Sequence, residues 1–455
     1  MGGMPLFWRK YHFMFSATVH FFILAVVVFL CYNPVFVMAA DTAVIPINFS
    51  AFKASEPSDS LSSTVKGVLL NANKYALTTW WTKQGFLKQT GTYLNFFGTS
   101  ERNIRPAADE AFALAVSLKT GAYDAGRTGV SKQIAENRAK KIITSLAHTH
   151  LSNSGKGGWG NAWQSALWSS KAGFAGWLMW DTLSEQDRKE IKTMVIYEAN
   201  RFNGYNPPYY CSENGKINYP GDTKAEENAW NATILQVALS MMPNHPNKQV
   251  WQDRMTELML SAFARPDDLK SKKKYLGQPL SEWLKGSNIE NNGTLINQGR
   301  LHPDYMTTVS LNIHSVLTFS LAKKTIPSAA LFNASRIYQA LVDGEFYGTK
   351  IYQQNSGKVS YPNGNGWGSM RRMNFALLDM EAAVLKFDSM VNKKGNYWAE
   401  LHLKVVSDMQ ARSKDGRTYI NMSEDKYAGR EQWVADLAAQ AYLLKWLEKQ
   451  KALHI

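Results

Sequence analysis

The sequence predicts an all-α fold, a toroid or incomplete barrel of antiparallel helical hairpins. Apolar residues recur at three- and four-residue steps over most of the chain after residue 60, as in "ADEAFALAVSLKTGAYD" and "EQWVADLAAQAYLLKWLEKQ". Turns rich in Gly, Pro and Asn separate roughly ten such segments, and strand-like alternation is confined to pieces such as "KIYQQ" and "KVSYP". Helices joined by polar, aromatic-rich loops favour stacked hairpins, with a non-toroidal helical array as the alternative.

The N-terminus predicts export. Arg9 and Lys10 precede an apolar run over residues 21–32, and "VFVMAAD" then offers a small-residue cleavage site. An uncleaved signal would act as a membrane anchor, because this region could span a bilayer of about 30 Å. We therefore expect a secreted protein. The predicted organisation is a signal peptide over 1–40, a linker over 41–63 and a single catalytic domain over 64–455.

Composition and charge restrict the partners. The chain is 45% hydrophobic and 19% charged, which is typical of a globular protein, and its net charge is +14. Residues 1–40 contain two basic residues, Arg9 and Lys10, and no acid, so their removal leaves +12. Cleavage would also leave Cys211 as the sole cysteine, which excludes an intramolecular disulfide. An exported basic protein attracts polyanions, and nucleic acid, an anionic cell wall and acidic polysaccharide are the candidates. No recognition motif for nucleic acid appears in the sequence, so we expect a monomer that binds an anionic polysaccharide rather than nucleic acid and no stable membrane partner.

Four Gly- or Pro-bearing loops run into predicted helices and hold the unusual polar residues. They are "GGWGNAW", "YPGDTKAEENAWNA", "NNGTLINQGRLHPDYMTT" and "YPNGNGWGSMRRMN". In the first loop, Trp159 stands among glycines beside Asn161 and is a candidate wall for a sugar-binding cleft, because indole rings stack on the apolar faces of sugars. Trp177 and Trp180, spaced by three on an apolar helix, are predicted core residues.

The second loop combines helix-start signals with mid-helix amides. Thr223 and Glu226 have the spacing of a capping box, as Ser184 and Asp187 do elsewhere, so Glu226 has a structural explanation. Asn228 and Asn231 lie three apart on one helix face, where asparagine is a poor helix former. They are candidates either for a buried amide network or for donors to a substrate carboxylate.

The third loop gathers Arg300, His302 and Tyr305 within six residues. Asp304 is interpreted as a helix cap. His302 precedes a proline, which biases it away from helical geometry and keeps it at the end of the loop. We therefore interpret His302 and Tyr305 as a candidate proton-transfer pair.

These residue types fit β-elimination of a uronic-acid polysaccharide. Amide and guanidinium donors would neutralise the uronate carboxylate as enolate charge develops. A histidine or tyrosine would take the C5 proton, and a tyrosine hydroxyl would protonate the departing glycosidic oxygen. The reaction requires no cofactor, and no convincing metal-ligand spacing is present in the sequence.

The order of an Asn-bearing helix, an "NGT…H…Y" segment and a later Asn/Arg segment resembles the α/α-toroid polysaccharide lyases, the group of chondroitin, hyaluronate and alginate lyases. The match concerns the catalytic toroid without the C-terminal β-sandwich of that group. The resemblance implies Asn228 as neutraliser, His302 as base, Tyr305 as acid or acid/base and Arg371 or Arg372 as support. The expected substrate-binding residues are Trp159, Asn161, Asn231, Arg300, Asn365, Trp367 and Arg372.

Two other functions stay open from the sequence. A glycoside hydrolase on the same scaffold would need two carboxylates about 5–5.5 Å or about 6.5–9.5 Å apart. The candidates for that pair are Asp109, Asp222, Glu227 and Asp304. A non-catalytic glycan-binding protein would keep affinity for the polysaccharide without shortening it.

Overall fold

The computed structural model describes residues 43–453, so the predicted signal peptide over 1–40 lies outside the described residues. None of the helices in the described range is both long enough and apolar enough to cross a membrane. Within the predicted linker, Val44, Ile47, Phe49 and Phe52 are partly buried against the core. The first long helix begins at Ser60, inside that predicted linker.

Twelve helices of nine or more residues form the body of the described chain. They are α1 (Ser60–Tyr75), α2 (Glu101–Lys119), α3 (Lys132–Thr149), α4 (Ser165–Leu178), α5 (Glu185–Asn200), α6 (Ala225–Met241), α7 (Lys248–Ala262), α8 (Ser310–Leu321), α9 (Ala334–Val342), α10 (Arg372–Val384), α11 (Gly395–Ala411) and α12 (Arg430–Lys449).

The remaining regular structure lies in the connections. Short helical turns cover Phe49–Ala51, Ala76–Trp80, Trp81–Lys83, Phe86–Lys88, Ala125–Thr128, Leu151–Ser154, Trp180–Thr182, Pro266–Lys270, Leu280–Trp283, Pro303–Met306, Thr307–Val309 and Ser328–Leu331. Antiparallel two-stranded ribbons pair Cys211–Ser212 with Gly286–Ser287, Lys274–Tyr275 with Gln278–Pro279, Ile296–Asn297 with Arg300–Leu301, Glu345–Phe346 with Thr349–Lys350, and Tyr352–Gln353 with Lys358–Val359. The last ribbon joins the two predicted strand-like pieces.

The even-numbered helices form an inner ring. In chain order each inner helix packs against the next, and α12 packs against α2, which closes the ring. The odd-numbered helices lie outside and pack against their inner neighbours. Every residue of α4 is buried, and so are nearly all of α6 and α8. The predicted all-α toroid of antiparallel hairpins is confirmed, and within the described residues its ring is closed.

A buried polar cluster centred on Asp379 of α10 connects three parts of the body. The Asp379 carboxylate accepts hydrogen bonds from the Tyr338 and Tyr352 hydroxyls, each at 3.0 Å, and it lies 2.7 Å from Nδ1 of His402. These partners belong to α9, a ribbon strand and α11. Asp379 therefore satisfies three buried polar groups at once.

Replacing Asp379 by alanine is expected to lower the free energy of unfolding by about 3–5 kcal/mol, because three buried polar groups lose their partner. Urea denaturation followed by circular dichroism measures the change. The control is D408A, which breaks an exposed ion pair with Lys404 and is expected to cost less than about 1 kcal/mol. Equal stability of D379A and D408A would contradict the assigned role.

Candidate active site

A cleft of about 510 Å³ opens at the end of the toroid where all six inner helices begin. A deeper chamber of about 60 Å³ continues between the inner helices. Arg105, Glu226, Thr308 and Trp433 line both spaces, so the two form one cavity along the ring. The cleft is lined by residues in or just before the first turns of the inner helices, including Glu101, Gln164, Glu226, Tyr305, Arg371 and Tyr427.

Glu226 supplies an unpaired carboxyl group in this cleft. It occupies the second position of α6, is half-buried, and makes no hydrogen bond or ion pair with any residue in the described range 43–453. Burial raises the pKa of Glu226 to about 8, although Arg105 and Arg371 act in the opposite direction. A carboxyl group with this pKa is largely protonated at neutral pH, so it can donate a proton.

The predicted capping role of Glu226 is wrong, because α6 begins later than the spacing suggested. Lys224 is the N-cap residue, and the Thr223 hydroxyl donates to the Asn288 carbonyl oxygen at 2.6 Å. Glu226 is therefore free to line the cleft. The matching prediction at α5 is confirmed, because Ser184 Oγ accepts from the backbone N–H of Asp187 at 3.2 Å.

Glu101 is a second carboxylate at the cleft, and its side chain is 36% exposed. Its Oε1 accepts from Arg105 at 3.1 Å and from the Tyr427 hydroxyl at 2.9 Å. The Arg105 guanidinium in turn packs 4.8 Å from the Tyr427 ring centroid and 5.2 Å from that of Trp433. These contacts hold Glu101 in one position while leaving it accessible to water.

The prediction that Asp304 caps a helix is wrong, and the residue instead lies in the wall of the cleft. The short helix Pro303–Met306 has His302 at its N-cap position. The Asp304 carboxylate accepts from the Tyr361 hydroxyl at 2.8 Å and from Asn365 Nδ2 at 3.0 Å, and lies 3.9 Å from Arg371. Burial raises the pKa of Asp304, whereas Arg371 and these hydrogen bonds lower it. Its role is to hold the surrounding wall together.

Arg371, Trp367 and Tyr305, three of the predicted site residues, line the cleft together. Arg371 makes a bidentate ion pair with Asp425 at 2.9 and 3.1 Å, and its guanidinium lies 5.3 Å from the Trp367 ring centroid. The Tyr305 hydroxyl accepts from Trp367 Nε1 and Gln298 Nε2, both at 3.4 Å. Burial raises the pKa of Tyr305 and nearby Glu226 raises it further. Tyr305 is thus a hydrogen-bond donor and a weak base.

The predicted base and neutraliser do not line this cleft. His302 is fully buried, its ring packs 4.6 Å from that of Tyr305, and neither ring nitrogen has a hydrogen-bond partner within residues 43–453. Burial lowers the pKa of His302 to about 4, with further lowering by Arg371 and Arg300. Asn228 is also fully buried, and its Nδ2 donates to Pro208 O at 2.9 Å and Ser261 Oγ at 3.0 Å.

The predicted subsite residues of the first two loops also lie outside the cleft. Trp159 is 1% exposed and donates its indole N–H to the Leu146 carbonyl at 2.9 Å, so it is a core residue. The Asn161 backbone N–H donates to Glu198 at 2.8 Å. Asn231 is buried. Trp159 and Asn231 are therefore enclosed by protein, whereas the Asn161 side chain is exposed outside the cleft.

Of the remaining predicted substrate-binding residues, some support nearby loops and one lines the cleft. Arg300 Nε donates to Gln298 O at 3.3 Å, and Arg372 Nε donates to Gly357 O at 2.9 Å, so both brace loops behind the cleft. Asn365 lies behind the wall, where its Oδ1 accepts from the Trp367 backbone N–H at 2.8 Å. Trp367 itself lines the cleft.

Sequence reasoning did not single out Glu101, Glu226 or Trp163 for the site. Trp163 is 63% exposed and lines the cleft, whereas Trp159 in the same loop is buried. The adjacent acids Glu226 and Glu227 could have indicated the site, because a capping box uses only one acidic residue and leaves the other without a structural explanation. No pattern in the sequence distinguished the two tryptophans.

No protein-family model matches the chain, and no curated protein matches it. A similar solved structure is an inactive variant, with two aspartates changed to asparagine, of an alpha-1,6-mannanase from a Salegentibacter species in complex with alpha-1,6-mannotriose. The TM-score is 0.40 and the identity 12%, over 84% of this chain and 99% of that chain.

Proposed function

We propose that this chain is a secreted enzyme that hydrolyses glycosidic bonds, with Glu226 as the general acid. The observation that carries the proposal is an unpaired carboxyl group in the axial cleft whose pKa, about 8, keeps it protonated at neutral pH. Glycoside hydrolysis needs such a group to protonate the departing oxygen, together with a second carboxylate. Secretion rests on the signal-like N-terminus.

Glu101 is the best candidate for the second carboxylate. Asp109 and Asp304 also line the cavity, but their side chains are only 4% and 3% exposed and each lies within 4 Å of an arginine. Glu101 is accessible to water and is oriented by Arg105 and Tyr427. It would either activate the attacking water or attack the anomeric carbon. Asp222 and Glu227 instead pair with Lys224 and do not line the cavity.

The lining favours a neutral glycan. Four aromatic side chains, Trp163, Trp367, Tyr427 and Trp433, offer surfaces for the apolar faces of sugar rings. Basic and acidic residues are equally numerous in the cavity. The basic lining residues are Arg102, Arg105, Lys171, Arg371 and Lys426, and the acidic ones are Glu101, Asp109, Glu226, Asp304 and Asp436. Because Glu226 is protonated at neutral pH, the cavity keeps a small positive excess, and the preference for a neutral glycan rests on the aromatic lining.

A substrate panel tests the proposal. The purified protein is incubated with neutral polysaccharides (alpha-1,6-mannan, xylan and β-glucan) and with uronates (alginate, glucuronan, hyaluronan, chondroitin and pectate). We expect new reducing ends from a neutral glycan without the ultraviolet absorbance of an unsaturated uronyl product. An unsaturated product would overturn hydrolysis, and binding without new reducing ends would favour the non-catalytic alternative.

A polysaccharide lyase is the second candidate, and one arrangement favours it. The Tyr305 hydroxyl lies at the cleft with Arg371, where six helix N-termini converge. Helix N-termini favour negative charge, so this end of the toroid could accept a uronate. Such a reaction would need a base other than the predicted His302, or a rearrangement that exposes it.

Replacing His302 by phenylalanine tests whether this histidine takes part in the reaction. Under hydrolysis we expect kcat/KM within about threefold of wild type, because the ring is buried and makes no hydrogen bond in the described chain. Initial rates on the active polysaccharide and the thermal melting temperature are measured together. A loss beyond about 100-fold at unchanged melting temperature would instead indicate general-base catalysis by His302.

A further inference from the structure

Trp163 keeps an unusually open indole ring at the mouth of the cleft. Its ring centroid lies 4.8 Å from that of Trp230, at an interplanar angle of 84°, so one neighbour holds the ring while most of it stays in water. Trp168 and Trp177, further along the same segment, are buried in the core. A ligand that covers Trp163 would gain the hydrophobic burial that folding leaves unused.

The adjacent Gln164 offers hydrogen bonds at the same place. Its Oε1 accepts from Arg105 at 3.3 Å, which orients the amide, and its Nε2 has no partner within residues 43–453. A free amide donor beside an exposed indole matches the chemistry of a sugar subsite, which needs an apolar platform and a donor for hydroxyl groups.

The order of the inner ring places Trp163 relative to the two carboxyl groups. Trp163 precedes α4, which lies between α2 with Glu101 and α6 with Glu226. Trp367 precedes α10, which is three positions away around the six-helix ring and therefore on its opposite side. A glycan that passes the carboxyl groups can thus contact aromatic surfaces at both ends of its path.

We propose that Trp163 and Gln164 form a subsite for a neutral pyranose unit separated from the cleaved bond, so that the enzyme favours chains long enough to reach it. This inference rests on the proposed hydrolytic function. Trp163 acts here as a specificity residue. Its loss reduces the advantage of long substrates and leaves the chemical step intact.

The kinetic test compares W163A with wild type on a hexasaccharide and on the shortest cleaved oligosaccharide of the active glycan. We expect KM for the hexasaccharide to rise about tenfold in W163A, with kcat within twofold, and W163F to restore part of the loss. Y347A is the matched control, because Tyr347 is 78% exposed and does not line the cavity. An unchanged KM in W163A, or equal losses on both substrates, would overturn the inference.

A binding measurement separates this inference from the catalytic proposal. Titration calorimetry compares E226Q with the double variant E226Q/W163A, using alpha-1,6-mannohexaose, xylohexaose and cellohexaose. We expect one hexasaccharide to bind E226Q and to bind the double variant about tenfold more weakly. Equal affinities, or no binding of any of the three, would overturn the subsite. Full hydrolytic activity of E226Q would refute the role of Glu226 as general acid. It would not refute the subsite, because the difference in affinity between E226Q and E226Q/W163A does not depend on catalysis.

Discussion

Replacing Glu226 by glutamine is expected to lower kcat/KM on the active polysaccharide by about 10²–10⁴-fold. The amide keeps the shape of the side chain but cannot donate a proton to the departing oxygen. E227Q is the matched control, because Glu227 is adjacent in sequence, pairs with Lys224 at 3.6 Å and does not line the cavity. We expect E227Q to retain wild-type rates. Similar losses in both variants would point to damage at the start of α6.

The raised pKa of Glu226 predicts how the rate of hydrolysis depends on pH. Because Glu226 must be protonated to act, the wild-type rate should fall as the pH rises through about 8. Glu226 also affects the free energy of unfolding, because its pKa in the folded protein lies above the ordinary value of 4.5. Its stabilising contribution is therefore full below pH 4.5 and is lost as the pH rises through about 8. In E226Q we expect neither the fall in rate near pH 8 nor the loss of stability over the same range. Melting temperatures across the pH range give the second readout.

Replacing Glu101 by alanine is expected to lower kcat/KM by about 10²–10⁴-fold, because the attacking water or the anomeric carbon loses its carboxylate. Sodium azide should restore part of the rate on a substrate with an activated leaving group, because the small anion can occupy the vacated space. Nuclear magnetic resonance of the wild-type product gives its anomeric configuration, and retention indicates that Glu101 is a nucleophile whereas inversion indicates that it is a base.

The control for Glu101 lies on the same helix. Glu110 is buried, its two carboxylate oxygens have no hydrogen-bond partner in the described range, and burial raises its pKa well above the ordinary value. It does not line the cavity, so E110Q should keep full activity. If E101A loses activity but azide restores none, Glu101 acts by holding Arg105 rather than in the reaction.

The helical fold was predictable because its signal is local. Apolar spacing and turn residues indicated the hairpins, and Ser184 was correctly recognised as a helix cap. The closure of the ring by α12 against α2 depends on contacts between distant segments, which the spacing does not encode. Thr223 shows the same limit at smaller scale, because the helix begins one residue later than its capping-box spacing predicted, and Glu226 therefore does not cap it.

The site was predictable only in part because the inner helices are buried on nearly all sides. Their apolar pattern does not indicate which face turns toward the axis, so Asn228 and Glu226, two residues apart, could not be separated. Tyr305, Arg371 and Trp367 were identified because they precede or begin helices at loops. His302, only three residues from Tyr305, is turned into the core.

The most direct test of the central claim is the dependence of the E226Q rate on the leaving group. Matched glycosides of the active sugar with alkyl and dinitrophenyl leaving groups are compared in wild type and E226Q. A missing general acid matters only when the leaving group needs a proton, so we predict a loss of about 10²–10⁴-fold for the alkyl glycoside and near wild-type release of dinitrophenolate. Equal losses for both glycosides would contradict the role of Glu226 as proton donor.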